Sequence, residues 1–231
     1  MKEQLEAGLR DLGLGTEGVP ALIRYADMLV ETNKVMNLTA ITEPSEIAAL
    51  HFLDSASLLP LADFKDKTVA DVGTGAGFPG VPLRILEPSI KLTLLDSLNK
   101  RIDFLKGVCQ ELGMKDVDCV HARAEEFAAA HRESFDIVTS RAVASLPLLC
   151  ELCLPLVKQG GYFLSMKSVE ADDEQKQAYT AIKTLGGQVE KVTDYTIPGT
   201  DVSHRLIFIK KIGETPKKYP RAFAKIKKNP L

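Results

Sequence analysis

The sequence predicts an α/β fold: a mostly parallel seven-stranded sheet with an antiparallel last strand, preceded by an N-terminal helical extension. Three observations predict it. From residue 67 onward, short apolar runs alternate with amphipathic stretches, which is the pattern of a parallel sheet with helices on both faces. A glycine-rich turn follows the first of these runs, as at the carboxyl edge of such a sheet. The last two runs are joined only by Pro198-Gly199-Thr200-Asp201, too short for a parallel crossover, so they pair antiparallel.

The elements follow in order. Residues 1–60 read as helices, with Leu5, Leu9 and Leu12 on one face and Leu22, Ile23, Ala26, Leu29 and Val30 on another. Thr42 or Ser45 is placed to cap a third helix running through Ile47, Ala48 and Leu50. Strands are expected at 68–72, 91–95, 117–121, 135–140, 161–166, 188–196 and 205–210, with helices at 79–87, 98–112, 123–130, 145–157 and 170–185. Beyond residue 211, Pro216, Pro220 and Pro230 favour an extended chain. Three parts result: a helical extension (1–60), a ligand-binding α/β domain (61–211) and a C-terminal tail (212–231).

Composition bounds the function. The chain has 231 residues, 45% hydrophobic and 26% charged, enough to build a full core and to exclude disorder throughout. The net charge of −2 is uneven. Residues 210–231 hold seven Lys and one Arg against one Glu, a net of +7, which leaves −9 for the first 209. A basic tail on an acidic body points to a polyanion or is simply a solvated end. No run reaches the ~18–20 apolar residues of a membrane span. Four cysteines without a secretory signal favour the cytoplasm. Cys150 and Cys153 form a CxxC inside the apolar run Leu146–Leu156, and with no second pair they read as buried thiols, so no metal site is expected.

The most informative segment is Val69-Ala70-Asp71-Val72-Gly73-Thr74-Gly75-Ala76-Gly77-Phe78-Pro79-Gly80. A strand ends, a glycine turn follows, and Pro79 suits the first turn of a helix. Glycines let a ligand approach the backbone closely. Residues 75–80 match the dinucleotide fingerprint G-x-G-x-x-G, where the helix N-terminus neutralises a pyrophosphate. The overlapping Asp71-x-Gly73-x-Gly75-x-Gly77 matches the loop that wraps S-adenosylmethionine, with Asp71 facing its ammonium. Asp96 closes the next strand, where a carboxylate accepts ribose hydroxyls in either cofactor or caps the following helix.

Taken together, these and other segments resemble the bacterial small-subunit (16S) ribosomal RNA guanine-N7 methyltransferases, the glucose-inhibited division protein B family. The resemblance spans nearly the whole chain. Its carriers are Asn33 to Thr39, His51-Phe52-Leu53-Asp54-Ser55, Asp71 to Gly80, Leu94 to Arg101, Ala124-Glu125-Glu126 and Ser140-Arg141-Ala142. It implies a Rossmann-like class I methyltransferase fold that binds S-adenosylmethionine. Gly73, Gly75, Gly77, Phe78, Asp96, Ala124, Glu125 and Arg141 are the expected cofactor positions, although Glu125 also suits the start of its helix. The chain departs from the family where Tyr219-Pro220-Arg221 runs into Ala222-Phe223-Ala224-Lys225, and where His204-Arg205 stands in the opposite order to some relatives.

The acceptor can be narrowed by chemistry. Amino-methylating enzymes carry an Asn/Asp-Pro-Pro-aromatic motif after the fourth strand, where this chain has Thr139-Ser140-Arg141-Ala142. Cytosine C5 needs a thiol nucleophile, and neither Cys109 nor Cys119 sits in a strand-end loop. Guanine N7 has a lone pair and no proton, so it needs alignment alone. Arg141 is expected to hold the methionine carboxylate or an RNA phosphate; the other reading is a surface arginine paired with an acid. Asn37 contacts a base edge or caps a turn. His51 contacts substrate or is a satisfied core histidine. Lys167 reaches a phosphate or is solvated. Arg205, Arg221 and the tail lysines are expected to supply charge for the RNA backbone. The cofactor cleft is expected to be acidic-walled, and the tail to bind RNA without affecting cofactor affinity. The resemblance implies 16S rRNA or the small ribosomal subunit as partner, with no membrane and no obligate protein partner; a class I methyltransferase acting on a protein or small molecule, and a non-catalytic RNA-binding assembly factor, are the alternative readings.

Overall fold

The computed structural model describes residues 1–141, 144–169 and 172–231. Ala142, part of one family segment, lies outside the described residues, as do the first two residues of the helix expected at 170–185.

Helices α1 (Lys2–Asp11) and α2 (Val19–Asn33) bury the faces read from their periodicity, led by Leu5, Leu9, Leu22, Ala26 and Leu29. The third helical segment differs from expectation. Neither Thr42 nor Ser45 caps it; α3 (Pro44–Glu46) starts after Glu43 with proline in its first turn. It passes into a π-helical stretch, Ile47–Leu53, and ends as α4 (Asp54–Ala56). The wider turn was not readable, because Ile47, Ala48 and Leu50 suit either helix.

The α/β units follow as β1 (Thr68–Val72), α5 (Gly80–Leu86), β2 (Lys91–Asp96), α6 (Asn99–Glu111), β3 (Val117–His121), α7 (Ala124–Ala130), β4 (Phe135–Arg141), α8 (Leu146–Cys153) and β5 (Val157–Ser168). Then come α9 (Asp172–Gln177), α10 (Tyr179–Thr184), β6 (Gly187–Thr196) and β7 (Ser203–Lys211). Strand order is β3-β2-β1-β4-β5-β7-β6, parallel except for β7, which is antiparallel to both its neighbours. The order reverses between β1 and β4, which opens a crevice at their carboxyl ends.

Two apolar clusters sandwich the sheet. One joins the N-terminal helices to α5 and α6 through residues such as Leu22, Phe52, Leu83 and Ile102. The other packs α7, α8 and α10 on the opposite face, with Cys150 and Cys153 fully buried. The extended tail expected from its prolines is corrected. Residues 223–228 form a helix, α11 (Phe223–Lys228), and Ile226 and Tyr219 are buried in the second cluster. Prolines at 216, 220 and 230 flank this helix without entering it. Arg132 grips the approach to it, donating to the carbonyls of Thr215, Pro216 (3.0 Å) and Tyr219 (2.7 Å).

Candidate active site

The glycine loop leaves β1 at the crevice. Gly73 and Thr74 donate to the Leu95 carbonyl at 2.9 and 3.1 Å, so the turn is stitched to β2. Gly73 and Gly75 have φ of 69° and 61°, values that favour glycine. Gly77, at φ 109°, serves packing instead: a Cβ there would lie 2.5 Å from the Tyr25 hydroxyl and 2.8 Å from Leu105 and Val81. Tyr25, from α2, donates to the Ala76 carbonyl, so the helical extension pins the loop from outside.

Asp71 does not face a ligand. It is fully buried and accepts from Thr74 Oγ1 (2.7 Å), the Gly80 amide (2.9 Å) and Thr139 Oγ1 (3.2 Å). Burial pushes its carboxyl up to about 6 against those bonds. Its role is to clasp the two ends of the loop.

The loop lines a cavity of about 520 Å³, a volume suited to a small-molecule cofactor. Seven of the eight expected cofactor positions line it: Gly73, Gly75, Phe78, Asp96, Ala124, Glu125 and Arg141. Gly77 does not, for the packing reason above. Asp96 is 4% exposed and accepts from the Gly75 amide (3.0 Å), the Leu98 amide (2.9 Å) and Arg101 Nη1 (3.2 Å). A carboxylate has about four acceptor positions, so one remains for a hydroxyl. Asp96 thus both shapes the start of α6 and faces the cavity. The acidic wall expected from sequence is corrected: Arg101, Arg123 and Arg141 stand beside Asp96 and Glu125.

Arg141 ends β4 between this cavity and a second one, about 700 Å³, lined also by Asp54, Met166, Lys167, Glu174 and His204. Its guanidinium donates to Asp54 Oδ2 (2.9 Å), the Leu50 carbonyl (3.0 Å) and His51 Nδ1 (3.0 Å), and lies 5.0 Å from the centre of the Phe78 ring. It is therefore held by an acid, as its alternative reading had it, but an acid buried beside the cavities. Asp54 is fully buried and also accepts from Tyr195 (2.8 Å) and His204 Nδ1 (2.8 Å). Burial raises its proton affinity, but the bond from His204, the Arg141 charge and the Tyr195 hydroxyl outweigh it, and the carboxylate stays below its usual range. His204 is pushed up by its bond to Asp54.

His51 forms the wall common to both cavities. It stacks on Phe78 with ring centres 4.2 Å apart and bonds Thr39 Oγ1 at 2.9 Å. Burial and then the Arg141 charge lower its pKa to about 4. The ring is thus neutral, with Nδ1 accepting from Arg141 and Nε2–H donating to Thr39. Both readings of His51 hold at once: it is satisfied and it faces the cavities.

Other expected substrate positions lie differently. Asn37 is exposed and outside the wall of either cavity; its neighbours Leu38 and Thr39 line the first. Asn33 shapes that turn, accepting from the amides of Leu38 (2.7 Å) and Thr39 (3.0 Å). Lys167 lines the second cavity but is tied to Glu174 (2.7 Å) and the Ala144 carbonyl (2.6 Å). Arg205 is held by Asp194 through two bonds of 2.6 and 2.8 Å. Arg221 binds the fully buried Glu151 at 2.8 and 2.6 Å, so its charge is spent on anchoring the tail. Sequence reasoning missed Thr39, Tyr195, His204 and Phe223. The last comes from α11 and lines the first cavity beside Arg123. The i, i+3 spacing of His51 and Asp54 was the available signal for the network.

The family model described as "GidB: rRNA small subunit methyltransferase G" matches residues 19–202. A ribosomal RNA small subunit methyltransferase G of Alkaliphilus metalliredigens is 49% identical over 98% of this chain and 97% of its own. The protein of the same name in Limosilactobacillus reuteri is 47% identical over 99% of this chain and 98% of its own. Among solved structures, TrmN from Thermus thermophilus matches with a TM-score of 0.54 at 19% identity, covering 68% of this chain and 48% of that one. TYW2 of M. jannaschii, solved in complex with AdoMet, matches with a TM-score of 0.54 at 12% identity, covering 66% of this chain and 72% of that one. Those two carry the fold; the model and the near-full-length relatives carry the family, and the chain belongs to the rRNA small subunit methyltransferase G family.

Proposed function

We propose that the chain transfers a methyl group from S-adenosylmethionine to N7 of a guanine in 16S ribosomal RNA, in the cytoplasm. The first cavity would hold the donor through Gly73, Gly75, Phe78, Asp96, Ala124, Glu125 and Arg141. Bound there, it supplies an electrophilic methyl group on a sulfonium. The acceptor base would enter the second cavity, across the wall of His51 and Arg141 that the two share.

One observation carries the choice of N7. The titratable side chains on the shared wall are already engaged. His51 is neutral with both ring nitrogens bonded, and Asp54 holds three donors. Among the described residues, an acceptor that must lose a proton finds no free base on that wall, whereas N7 has no proton to lose and needs only alignment. The product guanine is cationic. The Asp54 carboxylate offsets the Arg141 charge beside it, so the wall does not oppose the charge that develops.

The N-terminal helices would then form the acceptor-side wall, residues 61–211 the donor-binding domain, and the tail an RNA-facing segment. The test is methyl transfer from labelled donor to small ribosomal subunits, naked rRNA and total protein, with the modified nucleotide mapped by reduction and aniline cleavage. Strand scission at a single guanine is the expected result. Label in protein, or on an exocyclic amine, would overturn the reading.

A further inference from the structure

The C-terminal segment joins two surfaces. Its inward side is fixed in the second core cluster by Ile226, fully buried, and by the Arg221–Glu151 pair, whose acid is also fully buried. Between these anchors Phe223 reaches the donor cavity, at the end walled by Ala122, Arg123, Ala124 and Glu125. The Arg123 guanidinium lies 5.6 Å from the centre of the Phe223 ring. The outward side carries Lys217, Lys218, Lys225, Lys227 and Lys228, all exposed. Among the described residues none of the five forms an ion pair, although at least fourteen other lysines and arginines do. A helix of six residues thus places an aromatic ring on one cavity wall and carries three exposed lysines, Lys225, Lys227 and Lys228, with no ion pair among the described residues.

We propose that Phe223 is a donor-binding residue and that the tail couples the two substrates: RNA phosphates on the five lysines hold Phe223 against the bound donor, so each substrate tightens the binding of the other. This rests on the RNA reading above. The physical basis is shared ordering. The tail is a terminal segment held by the side chains of Arg132, Glu151, Tyr219 and Ile226 and not by any strand pairing, and terminal segments open locally before the sheet does. Whichever ligand binds first restrains it, and the second finds it already placed. Linkage makes the effect reciprocal. The arrangement also corrects the expectation that the tail acts on RNA alone, since one of its side chains is part of the cofactor cavity.

The test is calorimetry with S-adenosylhomocysteine, which has no methyl group to transfer, titrated into the full-length chain with and without 16S rRNA at low salt. In the unaltered protein, RNA should tighten this ligand by about fivefold or more. Phe223→Ala should weaken it without RNA by a comparable factor and remove the gain from RNA. Phe223→Leu, which keeps an apolar side chain between the same anchors, should retain part of both. Reversing charge with Lys225→Glu, Lys227→Glu and Lys228→Glu should leave affinity in the RNA-free protein unchanged and abolish the gain. Affinity equal in Phe223→Ala and the unaltered protein overturns the proposal. So does RNA that binds without changing the affinity. A chain that binds no RNA at all overturns the functional reading itself, and that outcome is separate because the effect of Phe223→Ala on the RNA-free protein would persist.

Discussion

Arg141 and Asp54, 87 residues apart in sequence, meet at 2.9 Å between the two cavities, the carboxylate fully buried and the arginine side chain 16% exposed. The pair is asymmetric. Asp54 also receives Tyr195 and His204, whereas Arg141 keeps His51 and a carbonyl if the acid is lost. Asp54→Ala should therefore destabilise more than Arg141→Ala. It strands a cation and two other donors at once, at a cost of about 3–5 kcal/mol. Arg141→Ala leaves the acid still bonded and should cost roughly 1–3 kcal/mol. Urea denaturation of the two variants distinguishes them; a larger loss for Arg141→Ala would show that the arginine, not the acid, organises this wall.

The two histidines on this network should titrate in opposite directions. His51, with a folded-state pKa of about 4, lies below the unfolded value of ~6.5. Its contribution to stability is present above pH 6.5 and is lost as the pH falls through about 4. His204 is raised by Asp54, so its contribution is full below ~6.5 and is lost as the pH rises through its folded value. Proton NMR of the imidazole rings should find His51 neutral and His204 charged at pH 6. In denaturation curves from pH 4 to 9, His204→Gln should flatten the alkaline limb and leave the acid limb. Two rings titrating together would contradict the geometry.

Glycines two residues apart in the loop should fail in different ways. A methyl group at Gly75 meets only the Gly73 carbonyl, at 4.0 Å, and the site lines the donor cavity. Gly75→Ala should cost only about 1–2 kcal/mol for its left-handed backbone but lose donor affinity. At Gly77 the methyl group would meet Tyr25, Leu105 and Val81 within 2.8 Å, adding overpacking of about 1–3 kcal/mol to backbone strain. Thermal melts and donor titration of both variants check this. Equal melting temperatures would mean that the Gly77 contacts give way easily.

How far the sequence could be read depends on the range of the interactions involved. Strands such as Thr68–Val72 and Lys91–Asp96 fall within a residue of where their apolar runs place them, because burial of a central strand is written in consecutive residues. The glycine loop is equally local, and its motif carries most of the donor cavity. The meaning of Asp71 was not readable. An acid at a strand end suits a ligand or a clasp equally, and only the positions of Thr139 and Gly80 decide. The Asp54 network joins residues up to 150 positions apart, beyond any periodicity. The tail was misread for the opposite reason. Its prolines and lysines have strong local preferences, and these were overridden by two tertiary contacts, Ile226 in the core and Arg221 on Glu151.

That last pair yields a further prediction. Glu151 is fully buried on α8, while the Arg221 side chain is 23% exposed and lies near the chain end. Three bonds join them: the Arg221 amide (2.9 Å), Nε (2.8 Å) and Nη2 (2.6 Å) all donate to the carboxylate. Arg221→Ala leaves an acid in the core with one amide partner and should cost about 3 kcal/mol or more. Glu151→Ala frees an arginine that can swing into water with the tail, and should cost less. Both changes detach α11 and so should expose the segment after Lys211 to limited proteolysis. The double variant should recover part of the loss of Arg221→Ala, because it removes the buried charge as well as its partner. A denaturation cycle over the four proteins measures this coupling. If the two single losses simply add, the pair is an incidental contact and the tail is held by Ile226 and Arg132 alone.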